Sequence, residues 1–244
     1  MSATDPTYPA ESDALARTAL VRRVGLGAAM LVAPWFIVVA ETGNELITLR
    51  GGGDDLDPAR SLTVTAEHLT LHRWSSLAAM LGALLLVPAV LGVMRLVRTG
   101  AARLGLVGGV LTATGYVCYF ALVFQGAGTE AAMVAVGGSR SQDVDVLQTF
   151  MDQPLTAWVG PLFVLGNIVG TFVLGLALVR ARSTSRLAGF GLMAWPVLHI
   201  VGFPFSEVIG ATAQAAGFAL AAVALLRLPT TDNVPEEPYE LLRR

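Results

Sequence analysis

Six runs of apolar residues divide the chain: Val24 to Ala40, Trp74 to Val97, Leu104 to Phe124, Trp158 to Val179, Leu187 to Phe203 and Val208 to Leu228, each 17 to 24 residues long. At about 1.5 Å of rise per residue, runs of this length cross a hydrocarbon core about 30 Å thick. The pattern predicts an all-α integral membrane bundle of six transmembrane helices. Pro34, Pro88, Pro161 and Pro196 fall inside the runs, where membrane helices accommodate proline as a kink. Two long polar segments, 41–73 and 125–157, read as outer loops. The first holds Gly51-Gly52-Gly53 and the turn-forming stretch Asp54 to Pro58, and its end, Thr63 to Arg73, suits an interfacial turn of helix. The second is broken at Gly137-Gly138-Ser139, and its stretch Asp143 to Met151 suits a short amphipathic helix. Residues 1–23 and 229–244 read as disordered tails. Arg22 and Arg23 before the first run resemble the basic region of a secretory leader, but Ala40 is followed by Glu41 and Thr42 without a small-x-small cleavage pattern, so the run reads as a retained helix.

Composition reinforces the membrane reading. Hydrophobic residues make up 54% of the 244 and charged ones 14%, against about 25% charged in a soluble domain. With a single cysteine, Cys118, no intrachain disulfide can form and no zinc-type cysteine spacing exists. All 16 basic residues are Arg, a usage that looks like the coding bias of a GC-rich bacterium. Nothing in a net charge of −2 suggests a nucleic-acid partner. The lipid bilayer is the expected surrounding.

Arginine placement sets the expected orientation. Twelve of the 16 lie in the first tail, the turn Arg95 to Arg103, the turn Arg180 to Arg186 and the last segment, whereas Arg50, Arg60, Arg73 and Arg140 lie on the other side. By the positive-inside rule both termini are cytoplasmic in a bacterial plasma membrane, and the outer face is acidic. Three segments open alike, Arg23-VGLGAAML, Arg103-LGLVGGVL and Arg186-LAGFGLMA. That suggests three helical-hairpin repeats, although Gly-rich helices with Arg at one end would look similar without any repeat. The run LLLVPAVLGVMRLVRTGAARLGLVGGVL, Leu84 to Leu111, resembles a pattern common in small, uncharacterised multi-helix membrane proteins of actinobacteria. The resemblance covers the second and third runs and implies no functional residues.

The arginines also act as depth markers. Tyr116 and His199 lie 13 residues beyond Arg103 and Arg186, and Asn167 and Gln214 lie 13 before Arg180 and Arg227. Each therefore sits about 20 Å from the inner boundary, and four helices place a hydrogen-bonding side chain in one layer. Ionisable groups inside a bilayer are costly and mark candidate sites. His199 is the only member that titrates near neutrality. Two readings stand for the layer: interhelical bonds at about 0.6 kcal/mol each, or a ligand or proton site opening toward Glu207. Glu207, beside Ser206, also suits a helix N-terminus, with Ser206 as hydroxyl cap, and that reading is the stronger for it.

His68 and His72 are spaced i,i+4 with Glu67 alongside, and Glu41 and Glu45 repeat the spacing at the end of the first run. On helices such pairs could converge on an extracytoplasmic metal. Haem is disfavoured, because on straight helices His72 and His199 differ in depth by about 14 Å. No cofactor is expected. Gly105 with Gly109 and Gly166 with Gly170 permit close helix contact and could also hold a second copy or another membrane protein. Trp35, Trp74 and Trp158 suit an interfacial belt, Trp195 suits packing beside Pro196, and Cys118 suits an apolar filler. The expected function is a non-enzymatic structural, accessory or sensory membrane module. The alternatives are a small transporter or proton- or ion-linked protein and, more remotely, a metal-binding membrane enzyme.

Overall fold

A computed structural model describes residues 8–51 and 57–228. Residues 1–7, 52–56 and 229–244, on which most of the tail expectations and part of the Gly/Asp-rich turn fall, lie outside the described residues. No strand occurs among the described residues. The helices are α1 (Tyr8–Gly51), α2 (Pro58–Glu67), α3 (Leu69–Val97), α4 (Ala102–Val136), α5 (Arg140–Met151), α6 (Pro154–Val164), α7 (Thr171–Ala181), α8 (Arg186–Val201) and α9 (Ser206–Arg227). A π-helical turn, Leu165–Gly170, joins α6 to α7 in one continuous rod.

Among the described residues, five helical stretches are long and apolar enough to cross a membrane: 17–50, 69–97, 102–136, 156–181 and 206–227. The sixth expected span, α8, is apolar but only 16 residues long, ending at Gly202 in the left-handed conformation (φ 62°). The outer faces agree with a multi-pass membrane protein. Leu84, Leu91, Leu106, Val110, Phe190 and Val223 all point outward. Each is about half exposed, so in water it would forgo roughly half of the 1.5–3 kcal/mol that full burial supplies, whereas lipid removes that penalty.

The helices form a closed ring. α1 packs on α3, α3 on α4, α4 on the rod α6 to α7, α7 on α8, α8 on α9, and α9 returns to α1, where Arg23 donates a hydrogen bond to the Leu228 carbonyl. The packed core fills the ring's Arg-rich half, with Met30, Leu86, Val90, Val93, Leu174, Leu178, Phe218 and Leu225 fully buried. The other half is not filled in this way.

Much of what reads as outer loop is helical. α1 runs ten residues past Glu41 and α4 twelve past Phe124. Glu41 and Glu45 beyond the first run, and Glu130 beyond the third, face the bundle's interior instead of leaving it. α4 stops where the Gly-Gly-Ser breaker predicts, at Gly137 with φ 68°, and α5 matches the expected amphipathic helix. α2 starts on a strong signal: Pro58 takes the first turn and the Asp57 carboxylate accepts the Ala59 N–H at 3.0 Å. It lies across the end of the bundle against α3, α4 and α5. The stretch expected to be a disordered tail also differs, since α1 begins at Tyr8.

Candidate functional site

At the Arg-poor end the ring encloses a cavity of about 520 Å³. Every rod contributes to its wall: Glu41 and Glu45 from α1, His72 from α3, Tyr116, Tyr119 and Glu130 from α4, Phe163 and Asn167 from the α6 rod, Trp195 and His199 from α8, and Glu207 from α9. α2 roofs it with Arg60, Ser61, Val64 and Thr65.

Among the lining residues, His199 and Glu207 form the closest polar pair. Nδ1 and Oε1 are 2.5 Å apart, with the two side chains 38% and 27% exposed. The eight-residue spacing reaches across the turn between α8 and α9, which reverses the chain at Gly202 (φ 62°) and Phe205 (φ 65°). Glu207 does stand in the first turn of α9, as expected of a carboxylate at a helix N-terminus, and pairs with His199 as well. Ser206 is not the cap: the cap position is Phe205, with no side-chain capping bond onto the helix. Instead the Glu45 carboxylate of α1 accepts the Phe205 N–H at 2.9 Å. The turn that sets the His199 and Glu207 spacing is thereby tied to α1. Trp195, one helical turn before His199, stacks on it with centroids 5.2 Å apart, so the buried indole serves the imidazole and not Pro196 alone.

The expected polar layer is shared between two environments. Tyr116 and Gln214 are both buried and bond to each other: the hydroxyl lies 3.4 Å from Oε1 and accepts from Nε2 at 3.2 Å. Tyr116 also faces the cavity, while Gln214 sits behind it, outside the lining. Asn167 and His199 line the same cavity as Tyr116. Asn167 is 2% exposed, and its Oδ1 has no hydrogen-bond partner. The Trp195 Nε1–H, likewise buried on the lining, has none. These are an acceptor and a donor left open at a cavity wall.

Asn167 owes its position to the π turn. α4 approaches that turn backbone to backbone, so that a Cβ on Gly115 would lie 2.6 Å from the Asn167 nitrogen and 2.7 Å from the Gly166 carbonyl carbon. Gly166 and Gly170 face α4, as the small-residue spacing implies. Gly105 and Gly109 instead meet Val97 and Met94 side chains of α3.

Glu41 lies deepest of the cavity carboxylates on α1, one residue beyond fully buried Ala40. Its carboxylate accepts a hydrogen bond from Asn44 and lies within electrostatic range of Glu207, His199 and Glu45. Glu130 is committed to the roof, accepting from Ser61 at 3.0 Å and Thr65 at 3.1 Å. Arg140 of α5 fastens the other side of α2, donating to the Ala59 carbonyl at 2.7 Å and to the Thr63 hydroxyl.

The metal quartet does not assemble. The helix breaks at His68 (φ −124°, ψ 29°), between α2 and α3, so His68 and His72 are not one continuous helical face. His72 lines the cavity with Glu41 and Glu45, but His68 does not. Among the described residues no group of three or more His, Cys, Asp or Glu side chains could hold a metal ion. Trp35, Trp74 and Trp158 are exposed on the bundle's outside, and Cys118 is a half-buried free thiol. No protein-family model, curated protein or solved structure matches the chain.

Proposed function

We propose that this chain is a small solute carrier of the proton- or ion-linked kind, with its binding site in the cavity at the Arg-poor end. One observation carries the reading. Every rod of the ring sends polar side chains into one 520 Å³ space, while the other half of the same bundle is packed solid with apolar ones. Solute sites in proteins occupy about 300–1,000 Å³ and carry a few placed polar groups on apolar walls. A purely structural bundle gains nothing from leaving such a volume open, because each lost packing contact costs stability. His199 and Glu207, at 2.5 Å, can hold one proton between them and release it to a solute or to water.

Arginines Arg22, Arg23, Arg95, Arg98, Arg103, Arg180, Arg182, Arg186 and Arg227 lie at the end opposite the cavity, so the positive-inside rule supports a plasma-membrane orientation with both termini cytoplasmic and the cavity facing out. In this arrangement α8 serves as a sixth span despite its length. Part of the polar layer remains structural: Tyr116 and Gln214 satisfy one another and hold α4 to α9.

Two measurements test the reading. With Cys118 replaced by Ala, a cysteine introduced by Ser141→Cys in α5 should react with a membrane-impermeant maleimide on intact cells. Purified protein should be stabilised against heating by at least one class in a panel of amines, carboxylates, amino acids and sugars, and Ala127→Phe, which fills the cavity, should abolish that response. Protection of the cysteine would reverse the topology. A panel without any response would return the bundle to a structural role.

A further inference from the structure

We propose that the cavity takes an organic ammonium cation with an apolar arm, and that Glu41 is its counter-ion. This rests on the solute-site reading and names the ligand class for it.

Charge comes first. Among the described residues, four carboxylates, Glu41, Glu45, Glu130 and Glu207, line the space, with one guanidinium, Arg60, at the roof. His72 and His199 are the remaining titratable groups with a cationic form. The carboxylates are not equivalent. Glu45 is spent on the Phe205 N–H, Glu130 on Ser61 and Thr65, and Glu207 on His199. Among the described residues Glu41 has only the Asn44 amide as a hydrogen-bond partner, and it sits where α1 passes from packed core to cavity. A carboxylate in that position gains most from a ligand that brings positive charge, since attraction is strongest where water is scarce.

Two further features select an organic cation over a bare ion. Asn167, 2% exposed, presents an unpaired acceptor oxygen at the wall, which suits an ammonium N–H. The aromatic wall is the second. Tyr119 and Phe163 stack with centroids 5.1 Å apart, and Tyr116 and Trp195 stand beside them on the lining. Aromatic faces attract organic cations and cover apolar arms together. The volume exceeds what a dehydrated metal ion fills, and no group of three ligating side chains among the described residues converges to hold one. The Trp195 N–H remains for an oxygen of the ligand or a water.

The test compares probes of one shape and three charges: 2-phenylethylammonium, 2-phenylethanol and 3-phenylpropanoate, titrated into purified full-length protein by calorimetry and thermal shift. The cation should bind at least tenfold tighter than the other two. Glu41→Gln should weaken the cation at least tenfold and leave the alcohol unchanged, whereas Glu41→Asp should keep the preference for the cation. Should Glu41→Gln fail to fold, Asn167→Leu in the same titration keeps the question open to refutation, because it should also weaken the cation more than the alcohol. Equal or tighter binding of the alcohol or the propanoate, or a cation affinity indifferent to Glu41→Gln, overturns the cation assignment while leaving a solute site. No binding by any of the three, with no response from the wider panel, removes the site itself.

Discussion

Replacing Gly115 by Ala should damage this protein far more than one methyl group suggests. The new Cβ would lie 2.6 Å from the Asn167 nitrogen and 2.7 Å from the Gly166 carbonyl carbon, about 0.8 Å inside the 3.4 Å at which ordinary contact begins. Both obstructing atoms are backbone, so no rotamer change relieves the overlap, and α4 must separate from the π turn. Overpacking of this kind costs about 1–3 kcal/mol. Gly128→Ala is the control on the same helix, with nothing within 4 Å of its added Cβ. There helix propensity alone acts, and the change should be neutral or stabilising by up to about 1 kcal/mol. Unfolding of the purified variants, followed by helix signal against denaturing detergent or temperature, reads the difference. Because separation displaces Asn167, Gly115→Ala should also weaken binding of any solute that stabilises the parent. Equal stability of Gly115→Ala and parent, or an equal loss in Gly128→Ala, would refute the close backbone contact.

Three further outcomes follow from the site. Tyr116→Phe should cost about 1 kcal/mol by leaving the buried Gln214 amide unpaired, and the double variant Tyr116→Phe with Gln214→Leu should recover part of it in a double-mutant cycle. The coupling between His199→Leu and Glu207→Gln in a similar cycle should be about 1 kcal/mol, below the figure for a buried charged bond because both groups are partly exposed; a coupling near zero would mean that the 2.5 Å pair is not formed in solution. Arg140→Ala or Glu130→Gln should speed hydrogen exchange in α2 alone, leaving α3 and α4 as protected as before, since the affected bonds run from α4 and α5 to the roof.

The apolar runs were legible because a membrane helix must pair its own backbone groups and face lipid with apolar side chains. The depth count from the arginines put Tyr116 and Gln214 at one level, and these two do bond to each other. Helix ends were less so. Glu41 interrupts an apolar run and reads as the start of a loop, since hydropathy along the chain cannot distinguish water from a polar cavity. The partnership of His199 with Glu207 depends on two left-handed residues in the intervening turn, one of them Phe205, a residue type that gives no warning of φ 65°. His68 and His72 misled in the opposite direction: their spacing implies one helix, and the chain breaks at the first of them. Asn167 was found by depth, yet the π turn that carries it has no signal in hydropathy. Gly166, Gly170 and the nearby Pro161 mark only that the backbone there is unusual.

A π turn amounts to one residue more than an α-helix needs to cover the same length. Take that residue away and the rod can close into continuous α-helix, turning everything on one side of the deletion by about 100° relative to the other. Either Phe163 leaves the cavity or Leu174 and Leu178 leave the core. The surplus residue therefore works as a phase shift between two halves of one rod, letting one half face the cavity and the other face packed side chains.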